Sequence, residues 1–343
     1  MASIYINENG AYLHKKGGRL IIEKDDIIIK EIPLELVEDI TVVNTTQISS
    51  ALITECFAKD IPIFWISSSG NLLGSLYSPK NIDIFKHKQQ FELLSDKNFY
   101  FQLAQNTVHA KIHNQITLLR RYNRNLKIDK VTELINYIKN VQKNIQYTTD
   151  FNELLGYEGL SSRTYFSALG LICPKPFQFS KRSKQPPLDP FNAMLSFGYN
   201  ILFNEILSAV ISTGLHPYIG FFHQLAKGHP ALVSDLIEEW RAIIIDSLVM
   251  NLLKRNSITI NMFDKNKKSC YLNADGKKIF LNAYNKKLQT ENKYIEGTYT
   301  YRQSINLQCK NYARVIINKD ISLYTPIKLP NASVKPLNLF MGI

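Results

Sequence analysis

The sequence predicts an α+β fold, with a small β domain at residues 1–80, a linker at 81–90 and an all-helical domain at 91–343. Short apolar or alternating runs fill the chain to about residue 77, and helical spacing of apolar residues follows. Pro79 prevents a continuous strand between the two regions. A chain of 343 residues also exceeds the size at which one hydrophobic core usually keeps growing.

The N-terminal runs are short enough for strands, and turn residues such as Gly10, Gly17 and Gly18 separate them. The runs are ASIYIN, AYLHKK, RLIIEK, DIIIKEI, DITVV, IPIFWIS and NLLGSLYS. Between Gln47 and Lys59, the segment SSALITECFAK has helical spacing instead. We therefore predict a mostly antiparallel β domain with one packed helix.

Helical periodicity dominates from residue 84 to about 317, apart from two long polar connections. The predicted helices cover 84–124, 128–145, 150–169, 190–213, 230–255, 277–289 and 299–316. The first connection, 174–187, mixes cations with aromatic residues and prolines, a composition and length typical of functional or mobile loops. The second, about 264–278, is rich in lysine and is predicted to be a disordered surface hairpin.

The charge balance favours a polyanionic partner. Lysine and arginine number 41 against 29 acidic residues, a formal net charge of +12, so nucleic acid is the first candidate and an anionic membrane the second. We find no run approaching the ~20 apolar residues of a spanning helix. The first residues lack the order of a secretory signal, which predicts a cytoplasmic protein. Four widely separated cysteines form no CxxC pair, so we predict that they are reduced and structural.

Glu158 is the first candidate for chemistry. In GYEGLSSRTYFSALG it shares a helix face with Ser162, Tyr165 and Phe166, because residues three and four apart are neighbours on a helix. Aromatic neighbours can partly desolvate a carboxylate. A solvated helical glutamate remains an equally physical interpretation of this segment taken alone.

A second cluster combines His223 with Asp235 and Glu238. His223 ends an apolar run, and a glycine-containing loop leads to a helix opened by Pro230. Asp235 and Glu238 are spaced i, i+3 and point the same way. Two carboxylates and an imidazole suit Mn²⁺ or Mg²⁺. The alternatives stay open: an acidic pair that compensates the helix dipole, and a core histidine.

Several basic clusters are candidate phosphate contacts. Charge neutralisation of phosphates is independent of base sequence, so these clusters predict salt-sensitive binding to the backbone of DNA. The clusters are Arg120, Arg121 and Arg124, then Lys181, Arg182 and Lys184, and also Lys227. By contrast, His109 and His113 form an HxxxH pair without the glutamate of a metalloprotease, which we interpret as a coincidence.

These segments together resemble one family, the CRISPR-associated integrases and endonucleases called Cas1. The resemblance lies in Glu158-Gly159 with Arg163, Tyr165 and Phe166, and in DPFNAMLSFGYNILFNEI, GLHPYIGFFH and SDLIEEWR. GAYLHKKGGRLIIEK, IPLELVEDITVV and IPIFWISSSGNLLGSLYSP resemble its β domain in the same order. Small departures are Ser162 where alanine is usual, Ala242 where proline often follows the arginine, and His229 where arginine is common.

The resemblance implies a β-sandwich-like N-terminal domain, a helical catalytic domain, a homodimer formed through the β domains, and a heterocomplex with Cas2. It places the metal ligands at Glu158, His223 and Glu238, with Asp235 as a further catalytic residue that supports or shares the ion. Its implied cofactor is Mn²⁺ or Mg²⁺, and its substrate is double-stranded DNA.

The resulting hypothesis is an integrase that joins a DNA 3′-hydroxyl to a CRISPR repeat, or cleaves DNA when water attacks. Arg163 and Lys227 are predicted phosphate clamps, and Tyr165 is predicted to position the scissile region. Two alternatives share parts of this evidence: a divalent-metal nuclease of branched-DNA repair, and a DNA-binding scaffold without catalysis.

Overall fold

Eight strands and one helix form the N-terminal region in the computed structural model, which describes residues 2–43, 45–67 and 69–330. The elements are β1 Ala2–Ile6, β2 Tyr12–Lys16, β3 Arg19–Lys24, β4 Ile27–Pro33, β5 Val37–Val43, β6 Gln47–Ile48, α1 Ser50–Ala58, β7 Ile63–Ile66 and β8 Leu72–Leu76. They confirm all seven predicted strands and the predicted helix. Ser49 caps α1 by accepting a hydrogen bond from the Leu52 amide.

Two sheets are formed by these strands, and only one of them is mainly antiparallel. The order β4-β3-β2-β6 has antiparallel pairs among its first three strands, whereas in β1-β5-β7-β8 both β1–β5 and β5–β7 are parallel. The prediction of a mostly antiparallel domain was therefore wrong for the second sheet. The segment between β5 and β7 contains α1 and is long enough for a parallel crossover, which alternation of apolar residues does not reveal.

The two sheets face each other across a common core. Leu13 and Leu20 from one sheet meet Ile40 and Ile63 from the other, and all four are buried. Leu52 of α1 belongs to the same cluster. This arrangement confirms the β-sandwich-like domain.

Helices form most of the remainder. They are α2 Ile84–Leu93, α3 Lys97–Leu126, α4 Asp129–Ile145, α5 Phe151–Ile172, α6 Pro190–Ser212, α7 Ala231–Ile237, α8 Ser247–Lys254, α9 Ala274–Leu288 and α10 Tyr301–Asn318, with a π-helical segment at Arg241–Asp246. Two hairpins also occur, β9 Phe263–Lys265 with β10 Cys270–Leu272, and β11 Glu291–Tyr294 with β12 Gly297–Thr300. The first confirms the hairpin predicted near 264–278.

Two predicted helices are interrupted in the structure. The prediction 84–124 divides into α2 and α3, because Asp96 caps a new helix by accepting from the Asn98 and Phe99 amides. The prediction 230–255 divides into α7, the π-helical segment and α8. Residues 84–90 of the predicted linker lie in α2, and the division into domains at 81–90 stays a prediction. The end of the predicted helical domain, 331–343, lies outside the described residues.

The central helix α6 is mostly buried and packs against α7, α10 and the π-helical segment. By length and composition alone it could cross a membrane, which corrects the statement that no run approaches such a length. Most of its apolar stretch is enclosed by the other helices. The apolar side chains of α6 therefore form part of the core of the helical region.

A buried polar network joins the β1-β5-β7-β8 sheet to the helices. Ser3 of β1 donates to Asp39 of β5 at 2.5 Å, and its hydroxyl also lies 3.5 Å from Glu205 of α6. Arg302 of α10 binds Glu205 through two hydrogen bonds of 2.6 and 3.1 Å. The guanidinium of Arg302 thus pairs with Glu205, and its charge acts on the buried Asp39 only from a greater distance. Burial, and then the charge of Glu205, raise the pKa of Asp39 to about 7.

Asp39→Asn is expected to stabilise the protein at pH 8, by on the order of 2 kcal/mol. Because the folded pKa of Asp39 lies above its unfolded value, its favourable contribution is present at low pH and is lost as the pH rises through about 7. The stability difference between Asp39→Asn and the wild type should therefore shrink towards pH 5. Urea unfolding of both proteins at pH 5, 6, 7 and 8 measures this difference in the free energy of unfolding.

The matched control is Glu35→Gln, which removes an exposed carboxylate from the same part of the chain. It should leave the pH profile of the wild type unchanged. An Asp39→Asn variant that is less stable than the wild type at pH 8 would contradict the assignment of a costly buried charge.

Candidate active site

Glu158 lies on α5 at the border of its buried face, one turn from Leu154 and Ser161. Its side chain is 21% exposed. Ser162, the next residue on this face, donates its hydroxyl to Glu158 Oε1 at 2.9 Å. Lys111 of α3 pairs with the same oxygen. Glu158 is therefore held in place, and the alternative of a freely solvated helical glutamate does not apply.

His223 is positioned by the carboxylate of Asp235. Asp235 accepts hydrogen bonds from the backbone amides of Phe221, Phe222 and His223, at 2.6, 3.0 and 2.8 Å. His223 Nδ1 lies 2.8 Å from Asp235 Oδ1. Because a carboxylate accepts, Nδ1 carries the proton, and the lone pair of the imidazole is on Nε2.

A close approach of two backbone segments makes this arrangement feasible. A Cβ atom at Gly220 would lie 2.6 Å from Asp235 Oδ2 and 2.7 Å from the carbonyl carbon of Ala231. Only glycine fits there without displacing one of the two segments. The buried side chains of Phe221 and Phe222 then anchor the loop on its other side.

Glu238 directly follows α7 and faces the same space. It is only 6% exposed, and its Oε1 lies 4.0 Å from His223 Nε2 and 3.3 Å from Arg241 Nε. Its Oε2 lies 2.7 Å from Lys111 Nζ. Burial by itself would raise the pKa of Glu238, but Lys111 and Arg241 hold it at about 2. Since Asp235 and Glu238 lie at the end of α7, they do not compensate the dipole of its first turn.

The ammonium of Lys111 lies between the carboxylates of Glu158 and Glu238. Burial disfavours its ammonium, but Glu238 and Glu158 together raise the pKa of Lys111 above its ordinary value. Within the described ranges, no three His, Cys, Asp or Glu side chains already stand close enough to share a metal ion. The donor set itself fits one: the carboxylates of Glu158 and Glu238 and the imidazole nitrogen of His223. Glu238 Oε2 has an ion-pair partner but no hydrogen bond of regular geometry.

A cationic cavity of about 620 Å³ opens beside this cluster. Arg241, which pairs with Glu238, lines it, and so do Arg182, Lys184, His229 and Lys277. Arg182 is fixed by hydrogen bonds to Asn192 Oδ1 at 2.9 Å and Ser196 Oγ at 3.1 Å. The cavity therefore places fixed positive charge next to Glu238, to which Arg241 connects it.

Comparison with known proteins identifies the family of this chain. The sequence model of the family described as CRISPR associated protein Cas1 matches residues 4–286. A CRISPR-associated endonuclease Cas1 of Mycobacterium tuberculosis is 30% identical over 321 residues, which cover 92% of this chain and 94% of the relative. The chain belongs to the Cas1 family.

Solved structures extend the comparison to the fold. A Cas1 protein from Thermotoga maritima is 24% identical and superposes with a TM-score of 0.80 over 92% of this chain and 97% of that chain. A chain of a Cas6-RT-Cas1–Cas2 complex is 25% identical, with a TM-score of 0.82; the match covers 96% of this chain and 36% of that one. The β and helical regions described above are thus the Cas1 fold.

The four predicted catalytic residues lie close together in this Cas1 protein, but they have different roles. Glu158, His223 Nε2 and Glu238 face one space, whereas both oxygens of Asp235 bind the His223 loop. Asp235 is therefore a positioning residue rather than a group that faces the shared space. The prediction that it supports the site fits the structure better than the prediction that it shares an ion.

The structure corrects the prediction that Tyr165 positions the scissile region of DNA. Tyr165 is fully buried, and its hydroxyl donates to Asp246 Oδ2 at 2.6 Å, while Tyr199 donates to Oδ1 of the same carboxylate at 2.5 Å. Burial raises the pKa of Tyr165 well above its ordinary value. Tyr165 thus supports the π-helical segment from inside and is not placed to contact DNA.

The predicted basic residues divide into separate surfaces of this Cas1 protein. Arg182 and Lys184 line the cationic cavity, while Lys181 is exposed beside them and Arg163 is exposed on α5. Arg120, Arg121 and Arg124 lie near the end of α3, about 14 Å or more along the helix from Lys111. Arg121 donates to the carbonyl of Pro330 at 3.2 Å.

Lys227 and the HxxxH pair lie elsewhere. Lys227 is exposed in the loop after His223, where it borders a smaller cavity with Phe91 and Tyr218. His113 binds the carbonyl oxygen of Leu329 at 2.8 Å, and burial lowers the pKa of His109 to about 4. In the described part of the chain, neither histidine belongs to a group of three potential metal ligands. The four cysteines are buried and unpaired, as predicted.

Two residues of the site were missed, Lys111 and Arg241. A signal for Lys111 was available: within the apolar stretch VHAKIHNQITLL it shares a helix face with Thr107, Asn114 and Gln115. A polar stripe inside a helix that is otherwise buried indicates buried partners. Arg241 follows Glu238 by three residues, a spacing that places the two side chains together.

Proposed function

We propose that this chain is a metal-dependent integrase of CRISPR adaptation, which inserts short duplex DNA into the array by attack of a DNA 3′-hydroxyl on the repeat. The observation that carries the proposal is the convergence of Glu158, His223 Nε2 and Glu238 beside a cationic cavity in a member of the Cas1 family. The relatives' description as endonucleases supports cleavage or joining of phosphodiester bonds. The proposal includes a cytoplasmic location, since the protein must reach the CRISPR array.

Glu158, Glu238 and His223 would hold one Mn²⁺ or Mg²⁺ ion. A bound ion would activate the attacking oxygen and stabilise the charge that develops on the phosphate. Neighbouring side chains position these ligands. Asp235 keeps the His223 lone pair directed towards Glu238, and Ser162 fixes Glu158.

Binding of DNA falls to the cations of the cavity. Arg182, held by Asn192 and Ser196, offers a fixed guanidinium for a phosphate, and Lys184 adds a second positive charge at the entrance. Lys181, exposed next to Arg182 in the chain, and Arg163, exposed on α5, would add further phosphate contacts. Arg120, Arg121 and Arg124 would meet DNA only if the duplex continues along α3.

The partners proposed are Cas2 and a second copy of this chain. One structural neighbour is part of a complex that contains Cas2. For the homodimer, Ile27, Ile28 and Ile29 of the edge strand β4 are 47–68% exposed, and an exposed apolar edge favours pairing with another chain. Ile28→Lys should then yield monomers in sedimentation velocity, whereas an unchanged sedimentation coefficient would place the dimer contact elsewhere.

A strand-transfer assay tests the function. Purified protein with its Cas2, a labelled duplex with free 3′-hydroxyls, a repeat-bearing plasmid and Mn²⁺ should yield joined product with the wild type and none with His223→Ala. The matched control is His87→Ala, which removes an imidazole that contacts His216 on another surface. Equal joining by wild type and His223→Ala would favour a DNA-binding scaffold. Cleavage of branched DNA without joining would favour a repair nuclease.

A further inference from the structure

One buried ammonium lies between the two carboxylates of the proposed metal site. Lys111 Nζ contacts Glu158 Oε1 and lies 2.7 Å from Glu238 Oε2, and the Lys111 side chain is only 9% exposed. The two carboxylates come from α5 and from the end of α7, while Lys111 comes from α3. Three separate elements therefore converge on a single positive charge.

The position of Lys111 is fixed by the packing of α3. Asn114, one turn further along, donates to the carbonyls of Glu239 and Ile327 at 2.9 and 3.0 Å. The Leu329 amide in turn donates to Asn114 Oδ1 at 2.8 Å. These bonds set the register of α3 against the segment that follows α7. Lys111 consequently faces the carboxylates because of the fold, and not through a chance orientation of a surface side chain.

A divalent ion and this ammonium need the same oxygens. Both Glu158 Oε1 and Glu238 Oε2 already contact Lys111 Nζ. Two cations within about 4 Å of each other in a partly buried site repel strongly. An ion that bound both carboxylates would therefore have to displace the ammonium.

We propose that Lys111 is an internal competitor for the metal: its ammonium occupies the space between Glu158 and Glu238 until a divalent ion displaces it. The inference rests on the proposed metal-dependent function. Without an ion, Lys111 offsets the repulsion between the buried carboxylate of Glu238 and the partly buried carboxylate of Glu158. The same contact weakens ion binding, because each binding event must first break both ion pairs.

Calorimetric titration of Mn²⁺ into the full chain at pH 8, without DNA, tests the competition. Lys111→Met and Lys111→Gln should each bind Mn²⁺ at least about tenfold more tightly than the wild type, because the competing charge is gone. Lys111→Arg, which keeps the charge, should stay within about threefold of the wild type. Lys97→Met, which removes an exposed lysine at the start of the same helix α3, should bind as the wild type does.

Thermal melting provides a second readout that does not depend on activity. In EDTA, Lys111→Met should melt below the wild type, since Glu158 loses its counter-charge and Glu238 keeps only that of Arg241. Mn²⁺ should raise the Tm of this variant by more than it raises that of the wild type. Lys111→Gln gives the same comparison if the methionine variant fails to fold.

The outcomes separate the two proposals. Equal or weaker Mn²⁺ binding by both neutral variants, with wild-type binding that Glu158→Gln abolishes, would overturn the competition and leave the metal site standing. No Mn²⁺ binding by the wild type or any variant would overturn both. Tighter binding by both neutral variants, abolished when Glu158→Gln is added, is the result that the competition requires.

Discussion

Glu238→Gln is expected to reduce strand transfer by at least about 100-fold while the fold is retained. Glutamine has nearly the same shape as glutamate but lacks the charge that pairs with Lys111 and Arg241. The low pKa of Glu238, about 2, means that the charged form is present at every pH at which the protein is assayed. The loss should therefore not be rescued by raising the pH. Single-turnover joining of a labelled duplex, measured between pH 6 and 9, provides the comparison.

Glu239→Gln is the matched control, because it changes the neighbouring residue in the same way. Glu239 points away from the site: its carboxylate accepts hydrogen bonds from the Tyr324 hydroxyl and the Ile327 amide. Burial raises the pKa of Glu239 to about 7, so a neutral amide is close to its native charge state at pH 6, the acid end of this range, where the control is compared. Joining by Glu239→Gln should remain within about threefold of the wild type. Equal losses in both variants would mean that Glu238 acts through the packing of this segment rather than through its charge.

Asp235→Ala is expected to affect both stability and chemistry. It leaves three backbone amides and His223 Nδ1 without their acceptor, and the site is buried. We expect the free energy of unfolding to fall by about 3 kcal/mol, from the cost of unsatisfied buried donors. Strand transfer should fall by about 100-fold, because the imidazole of His223 loses its orientation. Urea unfolding and single-turnover joining measure the two effects.

A double-mutant cycle tests whether Asp235 acts through His223. In a His223→Ala background, adding Asp235→Ala should cost little further activity, since the group that Asp235 orients is already absent. The loss of stability should persist in that background, because the three backbone amides still lack their acceptor. Additive losses of activity would instead show that Asp235 contributes to the chemistry independently of His223.

Local signals account for the parts of the fold that were predicted well. Short apolar or alternating runs bounded by turn residues located seven of the eight strands described up to residue 76, all but the two-residue β6, and the apolar spacing of SSALITECFAK located α1. Strand direction was predicted less well. Alternation is the same in parallel and antiparallel strands, so the parallel pairs β1–β5 and β5–β7 depended on chain crossovers that no local pattern encodes.

The candidate site shows the same limit. Resemblance to the family placed Glu158, His223 and Glu238 at the positions where the structure brings them together. It did not separate the role of Asp235, whose four hydrogen bonds depend on the path of the loop through Gly220. The role of Tyr165 was predicted wrongly for a related reason, because a tyrosine on the same helix face as a catalytic residue can point to solvent or to the core. In the structure its hydroxyl binds the buried carboxylate of Asp246.

By itself, then, the sequence determined the α+β class, the order of the elements, the basic surface charge and the residues able to form a carboxylate and imidazole site. These depend on composition, periodicity and motifs, which are local properties of the chain. Only the tertiary structure decided that Lys111 of α3 stands between Glu158 and Glu238, that Asp235 serves the His223 loop, and that Arg182 lines the cavity. Each of these contacts joins residues from separate elements, and packing of the elements, rather than spacing along the chain, sets the distances between them.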